Sequence, residues 1–323
     1  MLNKPEDIEI FILTYNRSEM LEQTIISILN QTTQGFNITV LDNGSTDNTP
    51  EITKKYNINT HRNETNLGQE ANFLTAQKLA SKKWVMLFHD DDLMHPRYIE
   101  EALIHLNTHP NTVLLGSGYV AEYEPTNTNW NYITNNNYHC HNSSDFALML
   151  FLDHPYHFAS SIYKTELFKK YSFRYDIYGK ICDRPFLLDI ASNGEVGVLD
   201  SNFIKYRVHP GQDSLTPSTG PYLINWLALH ENYHKFITKD CTCFKYLLYN
   251  IRALDFLRAG YDWLKNEHST TSKKLFIKMA KDRDIIPLGA FAYTFCLNNK
   301  ISRGLFRKIG RKLIGKFFDS IRI

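Results

Sequence analysis

Trp84-Val85-Met86-Leu87-Phe88-His89-Asp90-Asp91-Asp92 is the stretch on which the reading of this chain turns. Its apolar half, Trp84 to Phe88, reads as a buried strand. Three adjacent carboxylates follow, then Pro96 and a helical pattern. Neighbouring carboxylates repel one another and resist leaving water, so a chain tolerates them best around a divalent cation. Hard oxygen ligands select Mg²⁺ or Mn²⁺, and such ions usually work on phosphate. An acidic turn opening a helix is the other reading, since Asp is favoured at helix N-termini in any case.

Around that strand the chain alternates strand and helix. Ile8 to Leu13 and Ile38 to Leu41 are short apolar runs fit for buried strands. Ser18 stands where it can cap a helix with Leu21, Ile25, Ile28 and Leu29 on one face. Thr49-Pro50-Glu51 starts another, with Pro at the first helical position. A helix over Ala71 to Leu79 leads into the Trp84 strand. Pro96 opens one with Ile99, Ala102, Leu103 and Leu106 in line, and Val113 to Leu115 is a further strand. Repeated βαβ units of this kind predict an α/β fold with a largely parallel sheet and covered faces. Ligands then collect at the carboxyl ends of the strands. Glu122 to Asp145, crowded with Asn and Tyr, reads as a long loop or irregular hairpin. Pro217 and Gly220-Pro221 punctuate a linker, beyond which Tyr222 to Ile237, Phe244 to Glu267 and Ser272 to Lys281 read as helices. The expected organisation is an α/β domain over 1–215, a helical subdomain over 216–300 and a tail over 301–323.

With 323 residues, 43% of them hydrophobic and 22% charged, the chain has an ordinary globular composition and ample length for a core. A net charge of +2 gives no overall field for nucleic acid. Five cysteines, an odd number, fit a reducing cytoplasm better than a disulfide framework. Cys241-Thr-Cys243 lacks the CxxC spacing of a zinc knuckle. No N-terminal signal is expected, and the apolar stretch Ile285 to Leu297 is too short to span a bilayer. No GxGxxG follows the first strand, which argues against a dinucleotide dehydrogenase.

Each βα junction carries a polar cluster: "FILTYNR" from Phe11, polar over 14–17, "VLDNGSTDNT" from Val40, "NLGQEAN" from Asn66 and "FHDDDLMHP" from Phe88. Later come "CDRPFLLDIA" from Cys182 and "YRVHPGQDS" from Tyr206. In this order and spacing they resemble the inverting family-2 glycosyltransferases, which have the GT-A nucleotide-sugar-binding fold. The resemblance covers roughly residues 8 to 215. It implies transfer of a sugar from a nucleotide diphosphate sugar, a UDP-sugar foremost, to a hydroxyl of a glycan acceptor, with Mn²⁺ or Mg²⁺ as cofactor.

The resemblance also implies roles. Thr14 belongs to the first junction. Tyr15 would stack on the base, or pack at a strand end. Arg17 would meet phosphate or base, or lie solvated at a helix start. Asp42 would bond the base or ribose; Asn43 stands where the family often has Asp. Asn66 and Gly68 would let the chain approach the nucleotide closely, or form a plain turn. Metal ligands would come from Asp90, Asp91 and Asp92, with alternate residues of an extended segment facing one site, and from His209. Asp90 would also face the nucleotide. Arg207 would neutralise phosphate. Asp183 would be the general base, with a helix N-cap as its other reading; Cys182 replaces the family's usual acidic neighbour. His154, His157, Ser160 and Ser161 lie where an acceptor would approach, and the remaining histidines read as surface residues. A sugar nucleotidyltransferase and an inactive nucleotide-sugar-binding scaffold are the alternatives; "FILTYNR" lacks the Gly-rich basic loop of the former.

The tail carries a different signal. Leu305, Phe306, Ile309, Leu313, Phe317 and Ile321 recur at helical spacing. Arg303, Arg307, Lys308, Arg311, Lys312, Lys316 and Arg322 face only Asp319. A basic amphipathic helix predicts an anionic membrane surface as partner, and thus a peripheral place on the inner face of the cell membrane. A closing helix packed on the helical subdomain is the alternative.

Overall fold

The computed structural model describes residues 2–122, 130, 138–212, 220–239, 242, 245 and 248–249. It divides into two compact units. The first comprises 1–142, 155–173 and 189–216; the second comprises 143–154, 174–188 and 217–323. The tail over 301–323 and the helices expected over 244–267 and 272–281 lie outside the described residues, apart from isolated positions before 250.

The first unit is built on one sheet. Its strands are β1 (Ile8–Thr14), β2 (Asn37–Asp42), β3 (Asn59–Arg62), β4 (Trp84–His89), β5 (Asp92–Met94), β6 (Thr112–Glu122), β7 (Tyr138–His141), β8 (Ile162–Lys164) and β9 (Glu195–Arg207). They order as β3-β2-β1-β4-β8-β6-β9-β5, with β7 also on β9. The half formed by β3, β2, β1 and β4 is parallel. β8 then enters antiparallel between β4 and β6, and β5 and β7 are antiparallel to β9, so the sheet is mixed. The helices of this half are α1 (Ser18–Leu29), α2 (Thr49–Lys55), α3 (Gln69–Leu79) and α4 (Tyr98–Thr108). Then follow α5 (Ser143–Phe151), α6 (Thr165–Lys170), α7 (Tyr175–Tyr178), α8 (Asp183–Ala191) and α9 (Gly220–Lys239).

The apolar runs close the core. Ile8, Ile10 and Ile12 of β1, with Met86 and Phe88 of β4, meet Leu21, Ile25 and Ile28 of α1 and Ile99 and Ala102 of α4. Each large side chain buried this way contributes about 1.5–3 kcal/mol. In the second unit, Phe151 of α5 packs against His230 and Tyr233 of α9, and Ser144 Oγ donates to the Ile237 carbonyl at 3.1 Å.

Three local expectations are corrected. β6 runs on past Leu115 through Gly116 and Gly118. A Cβ at Gly116 would lie within 2.6 Å of the Tyr156 ring, and one at Gly118 would lie 2.6 Å from Asn202 Oδ1, so these glycines make room rather than break the strand. Gly220-Pro221 belongs to the first turn of α9, not to a linker. Several histidines expected at the surface are buried: His95, His105, His139, His141 and His230. Burial lowers the pKa of His105 and of His230 to about 3 and that of His95 to about 4, so all three are neutral at physiological pH.

Candidate nucleotide-sugar and metal site

The parallel half sets the site by register. Thr14 pairs with Asp42 and Leu13 with His89, so the ends of β1, β2 and β4 form one edge. Asp90 and Asp91 make the turn from β4 to β5, and Asp92 begins β5. The alternation of an extended segment therefore does not apply to the triplet. Each carboxylate has its own surroundings instead.

Asp90 is buried and held on both oxygens. Thr14 Oγ1 donates to one at 2.7 Å, and Arg17 donates to the other at 3.0 Å. The same Arg17 nitrogen reaches Asp91 Oδ2 at 3.0 Å, and its second terminal nitrogen donates to the Gly211 carbonyl at 2.9 Å. His209 Nε2 lies 3.1 Å from Asp91 Oδ2. Asp92 is fully buried; neither of its oxygens makes a hydrogen bond of good geometry among the described residues, and the Arg207 backbone amide nearby stabilises its charge only in part. His89 Nδ1 and His157 Nε2 each stand 3.7 Å from Asp92 Oδ2. Burial, then Asp91, lifts the Asp92 carboxyl well above the ordinary carboxylate range. Burial and Asp91 also raise Asp90, against Arg17. Burial opposes ionisation of Asp91 too, but His89, Arg17 and His209 outweigh it and hold that carboxyl low.

The turn itself is braced from beneath. Thr24 Oγ1 meets the carbonyls of Asp90 and Asp92 at 2.8 Å each. Arg207 is buried, and its guanidinium donates to the carbonyls of Asp91, Asp90 (3.2 Å) and Met20 (3.1 Å), with Gln23 Oε1 at 2.5 Å. Its donors are turned to the protein, which makes Arg207 a strut for the triplet. Arg17, about a third exposed at its side chain, is the more accessible of the two guanidiniums at the triplet, although its terminal nitrogens are bonded to Asp90, Asp91 and Gly211.

Tyr15 is 41% exposed at the rim, as a base-stacking residue needs to be. Asp42 is buried; its Oδ1 accepts from the Ser45 amide at 2.9 Å, and Arg62 Nε lies 3.5 Å from Oδ2. Asn43 is the hub of the adjoining loop. Its Nδ2 donates to Asn66 Oδ1 at 2.8 Å and to the Gly68 carbonyl at 3.1 Å, and its Oδ1 accepts from Asn63 Nδ2 and the Leu67 amide. An Asp there would lose the two Nδ2 bonds. Gly44 has φ +79°, and a Cβ on it would fall 2.6 Å from the Thr65 carbonyl carbon. We expect Gly44→Ala to lower stability by about 1–3 kcal/mol, read as a fall in melting temperature, because both strain and backbone overlap act.

Ser160 and Ser161 are fully buried. Ser160 Oγ donates within the fold to the His157 carbonyl at 2.6 Å, and Ser161 Oγ meets Tyr156 OH at 3.0 Å. Neither presents itself to an acceptor. His154 and Asp183 belong to the second unit. Asp183 is the first residue of α8, half-buried, with Arg184 Nε 3.9 Å from its Oδ2. Sequence reasoning missed Thr24; it named His157 for the acceptor side, whereas the structure sets it beside Asp92, and it read Asn43 only as a departure from the family's Asp. His89 stood inside the quoted run; nothing local to His157 pointed to the carboxylates.

The residues fit a divalent cation. His89, Asp91 and Asp92 each offer a donor atom within 4.8 Å of the others, and the poorly partnered Asp92 oxygens are the kind of buried charge a cation satisfies. Among the described residues no helix is long and apolar enough to cross a membrane.

Comparison with known proteins agrees with this geometry. The chain is 24% identical over 223 residues to an uncharacterized glycosyltransferase of Haemophilus influenzae, covering 64% of this chain and 67% of that one. It is 39% identical over 93 residues to the abequosyltransferase RfbV of Salmonella typhimurium, covering 26% of this chain and 27% of RfbV. Among solved structures, TarS of S. aureus in complex with UDP-GlcNAc superposes with a TM-score of 0.61 at 17% identity, over 98% of this chain and 90% of that one, and so shares its GT-A fold. The sequence profile described as Glycosyl transferase family 2 matches residues 9–172, half of the chain. By that match the chain belongs to glycosyltransferase family 2.

Proposed function

We propose that this family member is an inverting transferase that moves a sugar from a UDP-sugar to a hydroxyl of a lipid-linked glycan. The observation that carries the reading is the buried triplet, whose Asp92 oxygens make no hydrogen bond of good geometry among the described residues, beside a part-exposed Arg17 and an exposed Tyr15. The UDP-GlcNAc complex of TarS supports a uridine donor for a chain of the same fold.

Asp91 and Asp92, with His89 beside them, would hold Mg²⁺ or Mn²⁺, which supplies positive charge for the departing diphosphate. The chain's own residues do the rest. Tyr15 presents a ring face to the base, and Asp42 Oδ2 accepts a bond from base or ribose. Arg17 sets a fixed positive charge toward phosphate. Asp183 takes the acceptor hydroxyl proton on a carboxylate oxygen as that hydroxyl attacks the anomeric carbon. The new C–O bond forms on the face opposite the breaking bond to the diphosphate, whose oxygen keeps the electron pair, so configuration inverts. A thermal-shift panel of nucleotide sugars with Mn²⁺ tests the reading. One UDP-sugar should raise the melting temperature with concentration; no response to any nucleotide sugar would reject it.

The sequence of 301–323 supports a peripheral membrane role. Seven basic residues at roughly 1 kcal/mol each near an anionic surface, added to apolar burial, suffice for binding. Full-length protein should sediment with anionic vesicles and release as salt rises. The chain ending at Lys300 should stay folded and lose that binding; failure of the full-length protein to bind at low salt would contradict it.

A further inference from the structure

Outside the carboxylate site, α4 and β7 bring three metal-competent side chains together. His105 lies on α4, and His109 caps its C-terminus four residues on. Their rings stack with centroids 4.4 Å apart and planes 17° from parallel. Cys140 of β7 pairs directly with Gly197 of β9, which places both on one side of the sheet. A Cβ at Gly197 would lie 2.2 Å from His105 Nε2, so the imidazole packs on the bare backbone opposite Cys140. One donor atom from each of His105, His109 and Cys140 lies within 4.8 Å of the others.

We propose that His105, His109 and Cys140 form a second metal site, suited to Zn²⁺, that ties β7 to α4. A thiolate with two imidazoles is a set that Mg²⁺ and Mn²⁺ do not select and that Zn²⁺ does. Bonds of about 2.0–2.1 Å to nitrogen and about 2.3 Å to sulfur put tetrahedral ligand atoms about 3.3–3.6 Å apart. Reaching that from a spread of 4.8 Å takes a small rotation, which the exposed Cys140 and the part-exposed His109 permit. The outer bonds suit bound imidazoles. His109 Nδ1 lies 3.2 Å from the His105 carbonyl, and His105 Nε2 lies 3.1 Å from Thr112 Oγ1. Glu195, two residues before Gly197 on the same strand face, or a water, fills the fourth position. The competing account is a stacked histidine pair with an incidental cysteine above it.

Titration of the full-length protein with Co²⁺ decides between them. The site predicts a near-ultraviolet thiolate-to-cobalt charge-transfer band that Zn²⁺ displaces. Cys140→Ser should abolish the band, and His109→Ala should weaken binding by about 100-fold or more, beyond what loss of an outer partner costs. Asp92→Asn, which alters the carboxylate site, should leave the band in place. Zn²⁺ should also shield Cys140 from alkylation, located by peptide mapping. No band in the wild type, a band that survives Cys140→Ser, or one lost with Asp92→Asn would overturn the proposal.

Discussion

Asp92→Asn is expected to abolish metal-dependent donor binding and, at neutral pH, to raise the melting temperature of the metal-free protein. Both follow from one fact. The Asp92 carboxylate is buried with no hydrogen bond of good geometry among the described residues, and burial and Asp91 push its pKa well above the ordinary value. The folded metal-free protein therefore holds that proton more tightly than the unfolded chain does. Its contribution to stability is full below the unfolded value of about 3.9 and is lost as pH rises through the folded value. Above the unfolded value the buried carboxyl is therefore a cost to the metal-free fold that Arg207 offsets only in part and a bound cation offsets further, and Asn removes it. The melting-temperature gap between variant and wild type should shrink as pH falls toward about 4. Metal affinity should fall by about 100-fold or more, since a ligand itself is lost. A variant with unchanged Mn²⁺-dependent donor affinity would remove Asp92 from the site.

Asp183→Asn should leave donor affinity within a small factor and lower transfer by about 10²–10⁴-fold, the usual scale for a missing general base. Asn keeps the size of the side chain at the first position of α8, so the helix should persist. Single-turnover rates with a saturating donor separate the chemical step from binding. Near-normal turnover would make Asp183 a helix-terminal residue only, and retention of anomeric configuration would exclude a single displacement.

The parallel half of the fold was legible because each strand announces itself. Trp84 to Phe88 is apolar on both faces, and Ile8 to Leu13 and Ile38 to Leu41 are so apart from Glu9 and Thr39, as strands covered by helices should be. β3 carried no such signal: Asn59, Thr60, His61 and Arg62 are all exposed, and only pairing with β2 makes them a strand. β5 and the antiparallel β8 are three residues each, too short for a period to register. The carboxylate triplet was legible as a charge problem, but its geometry was not. A turn at Asp90-Asp91, braced by Arg207 from well over a hundred residues away, cannot be read from local spacing. Thr24 and His157 reach the site through the same long-range packing. His105 did carry a local signal, since Ile104 and Leu106 flank it and His109 follows four residues on at the helix cap.

The most direct test of the account is an electron paramagnetic resonance titration of Mn²⁺ into the full-length protein, with and without UDP. The account predicts that protein removes the free-ion signal, that UDP tightens this uptake, and that Asp92→Asn abolishes it. Free Mn²⁺ untouched by protein plus UDP, or UDP binding equally tight in chelator, would contradict it.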